Sequence, residues 1–156
     1  MNKIQASNPF FEIYSTPHGT VPFNLIKTEH YAPAIHEGIR RQNGEIDAII
    51  NNPDAPTFEN TIVPYEKSGE LLHRVNTVFG NLLSAETDDE LQERAREIMP
   101  LMSEHENNIS LNEKLFARIK TVYELADKAK LTPEQSKLLE DIYTGFVRNG
   151  ANLQGD

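Results

Sequence analysis

Apolar and small residues recur along most of this chain at steps of four and three. Phe58, Ile62, Tyr65, Gly69, Leu72, Asn76, Phe79 and Leu83 make one such seam. Leu91, Ala95, Ile98, Met102, His105 and Ile109 make another, and Leu115, Ile119, Val122 and Ala126 a third. That spacing puts a stripe on one face of a helix. No stretch shows the period of two that marks a half-buried strand. The expected fold is all-α: an antiparallel bundle of about five helices joined by short turns, with an extended N-terminal arm.

Local signals place the helix ends. Thr28 is expected to cap a first helix, with Glu29 at its positive end and Pro33 near enough the start to be tolerated. Ile35, Ile39, Gln42, Ile46 and Ile49 carry its apolar face, and Asn51-Asn52-Pro53 stops it, because a residue before proline avoids the helical region. A second helix follows Pro56-Thr57, with Pro64 kinking it or starting a new one. Gly69 inside its seam costs about 1 kcal/mol relative to Ala, which a close helix crossing at that point would explain. Thr87-Asp88-Asp89-Glu90 reads as a capping box for a third helix, which Pro100 should kink. A fourth spans about Asn112 to Ala126, with Phe116 and Tyr123 beside its stripe. Thr132-Pro133-Glu134-Gln135 opens a fifth with a threonine cap, a proline at the first helical position and a returning glutamine. Leu138, Leu139, Ile142, Tyr143, Phe146 and Val147 form its apolar face, and Gly150 is its stop.

Residues 1–27 read differently. Pro9, Pro17, Gly19 and Pro22 break up any regular element there. Phe10, Phe11, Ile13, Tyr14, Val21, Phe23, Leu25 and Ile26 are too many apolar side chains for a disordered tail. The segment is expected to be an extended arm that packs against something. Residues 28–156 form the helical domain.

Composition narrows the function. The chain has 156 residues, enough for one domain with a real core. Asp and Glu number 24 against 15 Lys and Arg, a formal charge of -9. Such a balance argues against nucleic acid, whose binding depends on clustered cations. With no cysteine, disulfides, zinc fingers and thiol nucleophiles are excluded. No apolar run approaches the ~18 residues of a membrane span, and no signal peptide is visible at the start. The expected compartment is the cytoplasm, or the periplasm if an upstream signal has been removed. Eight acids and two arginines between Glu86 and Glu106 read as a solvated helix face.

No catalytic motif is complete. His36-Glu37-Gly38-Ile39-Arg40 begins like the zinc-protease sequence H-E-x-x-H, but Arg40 stands where the second histidine must bind metal. His105-Glu106-Asn107-Asn108-Ile109 fails the same way at Ile109. His105 lies on an apolar seam and reads as a hydrogen-bonded core histidine. Glu70-Leu71-Leu72-His73 has the spacing of di-iron bundles, yet the second such motif is absent: Met102, Pro33 and Lys27 stand three before His105, His36 and His30. There is no phosphate-binding glycine loop and no G-x-S-x-G elbow. No catalytic, cofactor or metal residue is assigned in this chain.

Three strings then carry a resemblance. They are Pro22-Phe23 with Ile26 and Glu29-His30-Tyr31-Ala32-Pro33-Ala34; NPDAPTFENTIVPYEKSGELLHRVNTVFGNLLSAETDDELQ from Asn52 to Gln92; and MSEHENNISLNEKLFARIKTVYE from Met102 to Glu124. In order and spacing they resemble the N-terminal part of the thimet-oligopeptidase-like zinc metallopeptidases, and among these the peptidyl-dipeptidases. The Pro-Thr-Phe-Glu-Asn-Thr and SAET-DDELQ segments are the most specific. The resemblance implies a large, almost wholly helical peptidase with a deep channel between two halves. It also implies a zinc site, H-E-x-x-H with a further glutamate, several hundred residues downstream. There zinc would polarise the peptide carbonyl and activate water, with the motif glutamate as base. No position here matches that machinery.

The resemblance therefore reads the chain as a non-catalytic N-terminal domain, severed at Asn152-Leu153-Gln154-Gly155-Asp156 where the family continues into helix. Its expected partners are the catalytic region of the same parent chain and short peptides passing through the parent channel, whose wall it helps to form. No cofactor is expected in this chain, and zinc is expected in the parent. The rival reading is a stand-alone helical protein-interaction module.

Overall fold

The computed structural model describes residues 8–85, 88–127 and 130–150. All regular structure among them is helical. The α-helices are α1 (Tyr31–Ile50), α2 (Val63–Lys67), α3 (Glu70–Ala85), α4 (Asp89–Ser110), α5 (Glu113–Leu125) and α6 (Pro133–Arg148). One π-helical turn, Phe58–Ile62, leads into α2, and 3-10 turns occur at Pro9–Phe11, Pro17–Gly19 and Thr28–His30. The described residues fall into two compact units, with boundaries inside α1 and α4. The first draws on Met1–Asn43 and Gly69–Ser103, the second on Gly44–Ser68 and Glu104–Asp156.

In the first unit, Phe10, Tyr31, Ala34, Ile35, Leu71, Leu72, Val75, Val78, Phe79, Leu91 and Ile98 form the core. Burying such side chains is the main favourable term in folding, at roughly 25 cal/mol per Å². The α1 and α3 backbones approach closely at Gly38, where a Cβ would lie 3.0 Å from the Leu72 Cα. Gly38, not Gly69, is therefore the glycine of the close crossing. Gly69 instead ends the helical path: its φ of +73° favours glycine, and Ser68-Gly69 separates α2 from α3. Pro64 thus stands in the first turn of a new helix, one of the two roles expected of it, and the seam is broken a second time at Gly69. The face of α3 shifts with it, so that Asn76 is exposed while Leu71, Val75 and Val78 are buried.

Thr28 does not cap α1. It opens the 3-10 turn before it, in which the Lys27 N–H donates to His30 Nδ1 at 3.0 Å. Thr87 lies outside the described residues. Asp88 does the capping of α4, its Oδ1 accepting from the Leu91 N–H at 2.7 Å. Pro100 sits exposed within α4, which runs on to Ser110.

In the second unit, α5 and α6 pack with the π-turn and the end of α1. Ile46, Ile49, Phe58, Ile62, Leu115, Phe116, Ile119, Val122, Leu139 and Phe146 are buried there. Two caps stand where the sequence puts them. Asn112 Oδ1 accepts from the Leu115 N–H at 3.0 Å. Thr132 and Gln135 form a reciprocal box, Thr132 Oγ1 accepting at 3.2 Å and Gln135 Oε1 at 2.9 Å. Thr57 and Asn60 close a similar pair ahead of the π-turn. Pro64, in the first turn of α2, needs no N–H partner there. The planes of Tyr123 and Tyr143 stack 4.0 Å apart between centroids. Gly150, at φ +92°, follows the end of α6 as expected.

Candidate functional site

The positions closest to a metal motif are occupied by ion pairs or stand apart. Glu37 on α1 accepts from Arg40 Nε at 2.8 Å and Nη2 at 2.8 Å, and from Arg41 Nε at 2.8 Å. These hydrogen bonds, from Arg40 first and then Arg41, hold its carboxyl down at about 2. The residue that replaces the second histidine of the zinc motif thus clamps the glutamate. His36 is exposed, as are Glu70 and His73 on α3. His105 is buried in α4, and desolvation pushes its pKa down. Among the described residues, no three His, Asp or Glu side chains gather closely enough to hold a metal ion. The acids of α4 from Asp88 to Glu106 are exposed, a solvated face.

Two shallow hollows lie in the second unit. One, of about 340 Å³, is lined by Tyr65, Ser110, Leu138, Ile142, Phe146 and Asn149 among others. Two of its polar groups are already engaged. The Ser110 hydroxyl donates to the Asn107 carbonyl at 3.2 Å, and Asp141, also at its edge, accepts from Lys137 at 2.7 Å. Burial raises the pKa of Tyr65, with Glu66 and Glu106 adding to the shift. The Ser110 hydroxyl proton thus points at a backbone carbonyl rather than at a general base. The other hollow, of about 330 Å³, lies beside Tyr123, Leu131 and Leu139.

The most developed local structure is the docking of the arm on the first unit. Asn8 is buried, its Nδ2 donating to the His30 carbonyl at 2.8 Å and its Oδ1 accepting from the Phe10 N–H at 3.1 Å. Phe10 is 0% exposed. Its ring meets Tyr31 at 5.3 Å, and Tyr31 meets Phe79 at 5.0 Å. Arg74 on α3 donates to the Phe10 carbonyl and lies 5.0 Å over the Tyr14 ring. Arg41 lies 5.8 Å over Phe11. The first described residues of the arm thus pack on the chain itself: Phe10 completes the chain's own core. Farther on, Ile13, Phe23 and Leu25 face solvent. Among the described residues no helix is long and apolar enough to cross a membrane.

No protein-family model matches the chain. It is 40% identical over 146 residues to dipeptidyl carboxypeptidase of Escherichia coli (strain K12), a match covering 94% of this chain and 21% of that protein. It is 38% identical over 148 residues to dipeptidyl carboxypeptidase of Salmonella typhimurium, covering 95% and 22%. Oligopeptidase A of Haemophilus influenzae is 28% identical over 147 residues, covering 94% and 21%. The chain spans about a fifth of the length of the curated relatives it matches. It is homologous to the N-terminal part of dipeptidyl carboxypeptidase and oligopeptidase A.

Proposed function

We propose that this chain is the non-catalytic helical N-terminal domain of a zinc-dependent peptidyl-dipeptidase, a parent enzyme that removes dipeptides from peptide C-termini. One observation carries the reading. The match to dipeptidyl carboxypeptidase takes in 94% of this chain but only 21% of that protein. Zinc does not fit the described residues, because Glu37 is held by Arg40 and Arg41 and no other side chains gather as ligands. The metal and the chemistry it supports belong to the part of the parent outside this chain.

The role left for these residues is structural and steric. Each unit has its own apolar core, and in the parent these residues would contribute to the wall of a channel that admits short unfolded peptides and excludes folded proteins. The parent is placed in the cytoplasm, or in the periplasm if it carries an upstream signal.

The test starts with the gene downstream of codon 156. The frame is expected to continue and to encode H-E-x-x-H with a later glutamate. The purified gene product should release C-terminal dipeptides from a short peptide, detected by mass spectrometry. The 156-residue chain should release none, with or without added zinc. A stop codon directly after Asp156, or hydrolysis by the 156-residue chain itself, overturns the reading.

A further inference from the structure

Residues 13–26 contain no Asp, Glu, Lys or Arg, in a chain where 25% of residues are charged. The same run holds Ile13, Phe23 and Leu25, which are 95%, 55% and 56% exposed. Single exposed apolar side chains are ordinary. An uncharged run that concentrates three of them is the composition found in the core of a protein–protein interface, where charged residues are depleted.

The run is also fixed in place. At one end Arg74 holds the Phe10 carbonyl and covers the Tyr14 ring. In the middle the Thr16 hydroxyl and the Thr20 carbonyl close the Pro17–Gly19 turn. At the other end Val21 and Ile26 pack on the first unit's core. Leu25 N–H donates to the Pro22 carbonyl at 2.9 Å, and Ile26 N–H to Phe23 at 3.3 Å, so Phe23 and Leu25 project from one tied turn. A surface whose backbone is already ordered loses less entropy on docking than a floppy one.

We propose that the Phe23 and Leu25 turn is the face on which the remainder of the longer polypeptide packs, through an uncharged apolar patch of its own. The inference rests on the peptidase reading above. The match to relatives runs over 146 residues of this chain, so most of the arm is shared with proteins in which about four fifths of the length lies outside the match. A covalently tethered partner is at high effective concentration and needs no charge to find its site. A second copy is the poorer occupant, because two chains of formal charge -9 repel as they approach.

The test places F23D together with L25D in the intact gene product and in the 156-residue chain. In the 156-residue chain the thermal midpoint should stay unchanged, since these side chains are exposed, and binding of an apolar dye should fall. In the gene product the same substitutions should speed tryptic release of the N-terminal region by about tenfold, as loss of an interface anchor does. Unchanged proteolysis and midpoint in an active gene product overturn the surface while leaving the peptidase reading intact. Absence of dipeptide release by the unsubstituted gene product overturns that reading, and this inference with it. A dimer of the 156-residue chain that the substitutions dissolve assigns the face to a second copy and also overturns the proposal.

Discussion

The Arg118 guanidinium on α5 reaches back 66 positions in sequence to donate through Nη1 to the Asn52 carbonyl at 2.9 Å. Its Nη2 donates to the Asp54 carbonyl at 3.2 Å, and Asn60 Nδ2 ties the Ala55 carbonyl at 2.9 Å. The loop between α1 and the π-turn is thus held by one side chain from a distant helix. Arg118→Ala is expected to cost about 1.5–3 kcal/mol, the range for hydrogen bonds to a charged group. Arg118→Lys should recover little, because an ammonium lacks the planar fork that addresses two carbonyls at once. Urea denaturation of the chain checks the cost, and proteolysis within residues 51–57 checks its location. An unchanged midpoint would remove the clamp from the account of this loop.

Gly69 and Gly80 should respond in opposite directions to the same substitution. At Gly69 alanine must adopt φ +73°, and its Cβ would lie 2.5 Å from the Gln42 side chain. Left-handed backbone alone costs an L-residue about 1–2 kcal/mol, so Gly69→Ala should lower the thermal midpoint. Gly80 lies within α3, and a Cβ there meets nothing within 4 Å. Gly80→Ala should raise stability by about 0.5–1 kcal/mol through helix propensity. A calorimetric comparison of the two variants reads both signs, and a shared sign contradicts the assignment of either glycine.

Phe10 locks the arm to the first unit. Phe10→Ala is expected to cost about 3–5 kcal/mol, as for other fully buried phenylalanines, and to release the Phe10 and Phe11 amides to hydrogen exchange. It should also change Tyr31, whose hydroxyl is pushed up to about 12 by burial, with Tyr14 adding to the shift. Below pH 10 the phenol is neutral in both folded and unfolded chains, and its contribution to stability is complete. Between pH 10 and about 12 the unfolded chain ionises first, so that contribution is lost across this window. Absorbance titration at alkaline pH should show Tyr31 among the late-titrating tyrosines of the unsubstituted chain, and one late transition should return toward 10 in Phe10→Ala.

How much of this was legible in the sequence depends on the range of the interaction. The Thr132 box and the Asn112 cap were readable because donor and acceptor are three residues apart. The stripe Leu115, Ile119 and Val122 was readable because burial on a helix follows its period. Gly69 was misread because a glycine between two apolar runs has the same local pattern within a helix as between two helices; only its φ separates them. Phe10 reads only as an apolar residue that must pack somewhere, because nothing near it in sequence reveals Tyr31 and Phe79. Arg118 gave no signal at all, since its acceptors are backbone carbonyls, which every residue has. The broken motif at His36 and Arg40 was informative in itself: the missing ligand is the residue that neutralises Glu37.

Glu37 supplies an acid-side prediction. Its folded-state pKa is held at about 2 against an ordinary 4.5, so the pairs with Arg40 and Arg41 stabilise the fold fully above pH 4.5. That contribution is lost as pH falls from 4.5 toward 2. Arg40 is largely exposed, which keeps the effect small. Glu37→Gln should lower the urea midpoint slightly at pH 7 and leave it unchanged near pH 2. Equal losses at both pH values would show that packing of the side chain, not its charge, is what matters.

The chain passes from one unit to the other at Asn43–Gly44, at Ser68–Gly69 and again at Ser103–Glu104. Neither core is therefore written as one continuous stretch, and a ribosome cannot finish either before starting the other. Phe58 and Ile62 leave the exit tunnel well before Leu115 and Ile119, the residues that cover them, have been made. At ~5–20 residues per second this leaves apolar surface waiting for seconds during synthesis. Truncations that stop within α4 or α5 should accordingly be caught by chaperones or aggregate, whereas a chain carried through α6 holds every segment that either core needs.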